Sequence, residues 1–385
     1  MISNLSDLDI GGGSSNKRVV VAMSGGVDSS VAAAICAEAG YDVVGITLQL
    51  YNASTSSKRR GACCAGQDIQ DAKRVADQIG IKHYVLDYEK IFKSEVIDDF
   101  AKSYQDGLTP LPCVRCNEKI KFKDLFNTAK ELGAACLITG HYVSSKILNG
   151  QRALYRAKDD SKDQSYFLFT TTHEQLNYLR FPLGDLNKSE TRKIAKDLGI
   201  LVADKPDSQD ICFVADGHYS SVIKKLHPNA AEKGNIINMQ GNVLGQHDGI
   251  IHYTVGQRKG IGIATGKPNY VIKIDSIKKE ITVGSKEHLS INEIKLNNIN
   301  WIGSHDLSSL PNNNLDIFVK VRSTSSPIPA TLFNDNGEIK VRFLNPEYGV
   351  SPGQACVFYE DNKPMSRVLG GGWISKQVEP GKSVH

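Results

Sequence analysis

Arg18-Val19-Val20-Val21-Ala22-Met23-Ser24-Gly25-Gly26-Val27-Asp28-Ser29-Ser30 decides the fold. Its first seven residues are a short β-branched run, which suits a buried parallel strand. Residues 27–39 are Ala-rich and stop at Gly40, as a helix with a C-terminal glycine does. Between strand and helix, two glycines let the backbone come close to an anion. Three serine hydroxyls and the N–H groups of the helix start can donate to it. Asp28 could help hold a magnesium ion on phosphate oxygens. A Ser- and Asp-capped glycine turn is the plainer alternative. It leaves the coincidence of strand, paired glycines, aspartate and paired serines unexplained. Neither the Walker lysine motif nor a Gly-x-Gly-x-x-Gly fingerprint occurs.

Outward from this stretch, strand and helix alternate. Residues 42–50, 83–86 and 135–139 read as strands. Residues 67–79, 91–105 and 118–132 read as helices, the last two around a loop over 107–117. This βαβ rhythm implies an α/β fold with a doubly wound parallel sheet, whose ligands sit at the carboxyl ends of the strands. Beyond Ser144 the texture changes. Asn149-Gly150 signals a hairpin between 146–148 and 152–156. One further helix, 188–198, ends at Gly199. After residue 217 glycine turns multiply, and from 291 the chain is strand-like, with Asp335-Asn336-Gly337 as a turn. An all-β C-terminal domain, sandwich or barrel, is expected.

The 385 residues carry 46 Lys and Arg against 42 Asp and Glu, a net charge of +4, and 40% are hydrophobic. That excludes a mostly disordered chain and leaves room for more than one core. The mild basic excess permits nucleic-acid binding without arguing for it. No apolar run reaches the ~18 residues of a membrane helix. The first 18 residues hold two aspartates and no apolar core of a signal peptide, so a cytoplasmic location is expected.

Eight cysteines are too sparse for a disulfide scaffold. Cys36 and Cys136 read as core filler. Cys113 and Cys116 form a C-x-x-C in the polar, proline-bounded segment Thr109-Pro110-Leu111-Pro112-Cys113-Val114-Arg115-Cys116-Asn117. There the start of the next helix and the nearby Arg115, Lys119 and Lys121 would favour a thiolate at Cys116. Cys212 lies in another loop-like segment, Asp207-Ser208-Gln209-Asp210-Ile211-Cys212-Phe213. Cys63 and Cys64 follow the basic run Lys58-Arg59-Arg60. They are either exposed bystanders or part of the active face.

The Ser24–Ser30 motif resembles the pyrophosphate loop of the ATP pyrophosphatases. With further motifs the chain resembles the tRNA-specific 2-thiouridylases over nearly its whole length. These are Cys116-Asn117 with Ile120-Lys121-Phe122, Thr139-Gly140-His141-Tyr142, Lys162-Asp163-Gln164-Ser165-Tyr166-Phe167-Leu168, Asp207-Ser208 with Ile211-Cys212-Phe213, Gly256-Gln257-Arg258-Lys259-Gly260-Ile261-Gly262 and Ser351-Pro352-Gly353-Gln354.

That resemblance implies ATP and Mg2+ as cofactors and 2-thiolation of the wobble uridine of tRNAs of the Lys, Glu and Gln type. A sulfur-relay or cysteine desulfurase protein would be the donor, and the enzyme a monomer with no membrane partner. It implies a persulfide on Cys212 and a nucleophilic Cys116. Cys113 stands where many members carry an Asp proposed as general acid/base, which leaves that role open, with Asp210 a local candidate. ATP contacts are implied at Ala22, Met23, Ser24, Gly25, Gly26, Val27, Asp28, Ser29, Leu48 and Gly140. tRNA contacts are implied at His141, Lys162, Asp163, Gln164, Arg258, Lys259, Arg322 and Gln354; for His141, its place at a strand end also fits contact with ATP.

The implied domains are a flexible leader (1–16), an ATP pyrophosphatase domain (17–216), a central tRNA-contacting domain (217–289) and a C-terminal β-barrel (290–385). Two alternatives stay open. Cys113, Cys116 and Cys212 could hold an iron–sulfur cluster that binds hydrosulfide. Or the chain could be an amide-forming ligase of the same superfamily, which would need neither cysteine.

Overall fold

Strand β1 (Arg18–Ala22) buries Val19, Val20 and Val21 completely, because it lies at the middle of a parallel sheet. On one side it pairs with β2 (Asp42–Gln49), from Arg18↔Asp42 to Ala22↔Ile46. On the other it pairs with β4 (Leu137–Thr139), from Val20↔Leu137 to Ala22↔Thr139. With β3 (Lys82–Asp87) and β7 (Leu179–Arg180) the order is β3-β2-β1-β4-β7. The chain winds outward from β1 through β2 to β3, then returns to β1's other flank. The sheet therefore reverses direction between β1 and β4, and a crevice opens beyond their carboxyl ends.

The computed structural model describes residues 8–11, 17–51, 66–207, 211–214, 219–226, 231–263, 266–304, 307 and 314–376. The chain divides into two compact units, 1–96 with 113–217 and 363–368, and 97–112 with 218–362 and 369–385.

In the first unit the helix Val27–Glu38 is buried along Val31, Ala32, Ala33, Ile35 and Cys36 and packs on the helix Lys188–Asp197. Cys36 and Cys136 are fully buried core members, and burial pushes both thiols up. Both are core filler, as their surroundings in the sequence imply. The strands β5 (Val143–Leu148) and β6 (Gln151–Arg156) form the hairpin signalled by Asn149-Gly150, with Asn149 at φ 50° and Gly150 at φ 81°.

Two expectations need correction. Residues 107–117 are not all loop: Pro112–Arg115 is already helical and continues through Cys116–Leu125 to Phe126–Glu131. A proline at the first helical position lacks an N–H that would go unused there, so Pro112 starts a helix rather than prolonging a loop. The stretches Lys93–Ile97 and Cys116–Leu125 are wound with the wider i→i+5 pattern, a form found often at functional sites. Lastly, the leader is not uniformly loose. Leu8 is buried in the first unit's core, and Arg180 donates to the Leu8 and Asp9 carbonyls.

In the second unit β8 (Gly234–Ile237), β9 (Val243–His247), β10 (Tyr270–Asp275) and β11 (Glu280–Gly284) form a sheet of order β10-β11-β8-β9. Next come β12 (Ser290–Trp301), β13 (Asn314–Lys320), β14 (Ile328–Asp335), β15 (Glu338–Tyr348), β16 (Ala355–Tyr359) and β17 (Arg367–Ile374). They run in the order β12-β15-β14-β13-β16-β17, and β12 pairs with β17 from Leu296↔Ile374 to Trp301↔Gly370. That pairing closes a barrel around Ile294, Val319, Leu332, Val341 and Phe358. The choice between sandwich and barrel is thus settled for the barrel. Among the described residues no helix is long and apolar enough to cross a membrane.

Candidate active site

A cleft of about 440 Å³ opens where β1 and β4 end, within the first unit. One wall is the loop from Ser24 to Ser29. Gly25 adopts φ 74°, and a Cβ there would strike the Asp68 carbonyl. Gly26 is the N-cap of the helix Val27–Glu38 and supplies no side-chain cap. The first N–H groups of a helix have no intrahelical acceptor, so this helix start has the chemistry to receive an anion. Ser29 Oγ accepts from the Ser24 N–H at 3.1 Å and lies 3.3 Å from Ser24 Oγ, which sets both hydroxyls at the cleft. Ser30 does not take part: it is fully buried and donates to the Gly26 carbonyl at 2.8 Å.

The opposite wall follows β4. A Cβ on Gly140 would lie 2.7 Å from the Ser29 N, so only glycine lets the two loops meet. Thr139 Oγ1 is 2.8 Å from His141 Nδ1. Desolvation and then the Lys121 charge hold the His141 imidazole well below its ordinary value, so it is neutral near pH 7. Ala22, Met23, Val27, Ile46, Leu48 and Leu50 supply the apolar part of the lining.

Charge is concentrated in this cleft. Lys121, Lys162, Lys188 and Lys205 line it, as do Asp28, Asp68 and Asp207. Lys188 Nζ donates to both Asp28 oxygens at 2.7 and 2.8 Å and contacts Asp207 at 2.8 Å. Asp207 also meets Lys162 at 2.8 Å and Arg192 at 2.9 Å. Burial would raise its carboxyl, but the bonds from Lys162 and Lys188 outweigh that and lower it to about 2. Lys205 donates to the Gly25 carbonyl at 2.9 Å and to Asp68 and Asp71 at 2.6 Å each, tying the loop to the helix Gly66–Gln78. The Tyr142 hydroxyl donates to Asp28 at 2.9 Å. Burial, then the Asp28 charge, pushes this phenol up, so it remains a donor.

This arrangement qualifies several expected roles. Asp28 is clasped by Lys188 and Tyr142. Among the described residues no three His, Cys, Asp or Glu side chains converge as a metal site. Cys113, Cys116 and Cys212 form no such group either. Asp163 is not turned outward for RNA. Its carboxylate is buried against Arg156 at 3.2 Å and accepts from the Ala157 and Ser165 N–H groups. Lys162 and Gln164 do line the cleft, and Gln164 Oε1 accepts from the Tyr142 N–H.

Cys113 is exposed, Cys116 is 8% exposed, and Cys212 is intermediate. Cys116 lies on a helix rather than a loop. Arg115 and Lys119 are drawn to Glu118, at 3.1 and 3.4 Å. The next residue, Asn117, is buried: its Nδ2 donates to the Phe167 carbonyl, and its Oδ1 has no hydrogen-bond partner among the described residues. Cys212 sits in a turn whose carbonyl accepts from the Tyr51 hydroxyl at 2.9 Å, beside Phe213, which packs edge-on to Phe92. Cys63, Cys64, Ser208, Gln209 and Asp210 lie outside the described residues.

In the second unit, Arg258 and Lys259 are exposed among the turns of Gly256, Gly260 and Gly262. Arg322 is paired with Glu347, and Gln354 Nε2 donates to the Thr109 carbonyl at 3.1 Å. Sequence reasoning missed Lys188, Lys205 and Asp207 as cleft residues. The signals were thin: a lysine opening a helix after Asn187, and Lys205-Pro206-Asp207 just ahead of the Cys212 segment.

Three family models match the chain: a tRNA methyl transferase HUP domain over residues 17–216, a tRNA methyl transferase PRC-barrel domain over 220–285 and an aminomethyltransferase beta-barrel domain over 291–374. The chain is 58% identical over 364 residues to the tRNA-specific 2-thiouridylase MnmA of Beijerinckia indica subsp. indica, covering 93% of this chain and 84% of that one. It is 55% identical over 377 residues to the protein of the same name from Parvibaculum lavamentivorans, covering 97% and 94%. The solved NMN synthetase of Francisella tularensis aligns at a TM-score of 0.34 and 18% identity, over 58% of this chain and 82% of that one, a likeness too slight to argue from.

Proposed function

The chain belongs to the tRNA-specific 2-thiouridylase family, and from that membership we propose that it replaces O2 of a wobble uridine in tRNA by sulfur at the expense of ATP. The observation that carries the reading is the anion cradle of Ser24, Gly26 and Ser29 facing four lysines in the unit that also bears Cys116 and Cys212. A methyl transfer, which the family models' descriptions mention, would leave that cradle without a task.

The chemistry needs a leaving group. The O2 of uracil departs poorly; once it carries AMP it departs readily. The Ser24 and Ser29 hydroxyls and the helix start hold the phosphates, and Ala22, Met23, Val27 and Leu48 receive the adenosine. Lys162 and Lys188 exchange part of their bonding from Asp207 and Asp28 to phosphate oxygens. Neutral His141 and Gln164 meet the base or the nucleotide. Mg2+ would be held chiefly by the phosphate oxygens and would neutralise their charge, with Asp28 the carboxylate that Lys188 releases beside them.

Sulfur arrives on Cys212 as a persulfide from a cysteine desulfurase or relay protein. Its outer sulfur attacks C2 and AMP leaves. The Cys116 thiolate then attacks Cys212 Sγ and breaks the S–S bond. Thiolated RNA departs and a Cys116–Cys212 disulfide remains. The uridine must leave its stack for O2 to enter the cleft. In this reading 17–216 is the catalytic domain, 217–289 and 290–385 contact tRNA through Arg258, Lys259, Arg322 and Gln354, and the enzyme works in the cytoplasm as a monomer.

Nucleoside mass spectrometry tests this. Purified protein, ATP-Mg, a persulfide donor and wobble-uridine tRNA should yield 2-thiouridine with one AMP each, and Cys116→Ser or Cys212→Ser should abolish it. AMP formation with no sulfur in RNA would favour the amide-forming ligase instead.

A further inference from the structure

We propose that Cys113 and Cys116 form a redox-active dithiol, in which Cys113 resolves the Cys116–Cys212 disulfide after each turnover and passes the oxidation to an external dithiol protein. This rests on the sulfur relay above and adds the step that resets it.

Pro112–Arg115 opens a helix in which Cys113 is the second residue, and Cys116 follows one turn later. Residues at i and i+3 share a helix face, with Cβ atoms about 5–6 Å apart. A small adjustment of the first turn brings that to the roughly 3.5–4.5 Å of a disulfide. C-x-x-C at a helix start is the arrangement in which thiolate and disulfide forms interconvert readily.

Accessibility divides the labour. Of the six described cysteines Cys113 is the exposed one. Cys36, Cys136 and Cys356 are buried, with thiols pushed up by that burial. Cys116 is nearly enclosed, so a bulky reductant reaches its sulfur poorly. Direct attack at partly exposed Cys212 would tie the persulfide acceptor into a mixed disulfide with the reductant. Attack from Cys113 avoids that.

The steps balance. The Cys113 thiolate attacks Cys116 Sγ, a Cys113–Cys116 bond forms, and the Cys212 thiolate leaves, ready for the next persulfide. An external dithiol then attacks Cys113 Sγ, releases Cys116, and closes its own disulfide as Cys113 departs. It supplies the two electrons per turnover.

The test maps disulfides by mass spectrometry after anaerobic single turnover and alkylation. Wild type should end with Cys113–Cys116 linked, and Cys113→Ser with Cys116–Cys212 linked. With a thioredoxin-class reductant, multiple turnover by Cys113→Ser should be at least about tenfold slower, and excess small dithiol should restore it. A Cys116–Cys212 disulfide in the wild type, with equal turnover by the variant, overturns the proposal. A second arm needs no thiolation. Redox titration of resting wild type and of Cys212→Ser should form Cys113–Cys116 in both at one midpoint. If the RNA gains no sulfur at all, the proposed function fails, and this titration still decides whether the dithiol exists; its failure to form in Cys212→Ser sinks the dithiol.

Discussion

At Gly140 a single hydrogen decides whether two walls meet. A methyl group there would press on the backbone of Asp28 and Ser29, which cannot yield without moving the helix start. Gly140→Ala should lower stability by about 1–3 kcal/mol, the usual cost of overpacking, and weaken ATP binding. Thermal unfolding and equilibrium titration with ATP check both. Asp207 titrates in a window of its own. Unfolded, it takes its proton near 3.8; folded, near 2. Above 3.8 both states are ionised and the stabilisation is complete. As pH falls from about 4 to 2 the unfolded chain takes the proton first, and the stabilisation is lost. Asp207→Asn should flatten that part of an acid-unfolding curve. His141 runs at higher pH. Its folded pKa lies below the ordinary 6.5. Below 6.5 the unfolded chain therefore binds a proton that the folded chain refuses, and stability drops. His141→Gln should reduce the slope of unfolding free energy between pH 5 and 6.5 in urea titrations.

Elements bring distant charges together. Lys205 reaches from beyond the helix Lys188–Asp197 to the Gly25 carbonyl and to Asp68 and Asp71 at the start of the helix Gly66–Gln78. Asp68 is 7% exposed. Removing its cation leaves a buried carboxylate alone, which costs about 3–5 kcal/mol for a fully buried pair and less here. Lys205→Met should lower Tm and loosen the loop around Gly25, and Asp68→Asn in the same chain should recover part of the loss. A double-mutant cycle reads the coupling. The elements also show where pattern reading fell short. Leu179–Arg180 is a strand of two residues, too short for any periodicity. The helix His173–Tyr178 had a legible Thr172–Gln175 capping box, but its six residues carry no clear apolar stripe.

Across the whole molecule, the two compact units carry different chemistry. The first holds the cleft and the three polar-segment cysteines; the second holds a closed barrel and the exposed pair Arg258 and Lys259. If those two cations meet phosphates, Arg258→Ala with Lys259→Ala should weaken tRNA binding about equally across sequences. It should also reduce the slope of log K against log salt by about 2. ATP affinity should not change. Filter binding over a salt series checks the first, and nucleotide titration the second.

The sequence by itself determined the parallel sheet, the glycine loop that joins β1 to the following helix, and the β-rich second half. Buried β-branched strands, a glycine pair before a helix and glycine stops are local signals, and each acts within a few residues. The inert cysteines were legible for the same reason, since Cys36 and Cys136 sit inside apolar runs. Tertiary structure alone decided which charges share the cleft. Asp28, Lys188 and Asp207 are spread over 180 residues, and only the reversal between β1 and β4 brings them within 3 Å of one another's partners. It also turned Asp163 from an expected surface group into a buried ligand of Arg156, because a carboxylate flanked by polar residues looks alike in sequence whether water or an arginine faces it. Whether a polar side chain serves a ligand or the fold depends on what the folded chain places opposite it.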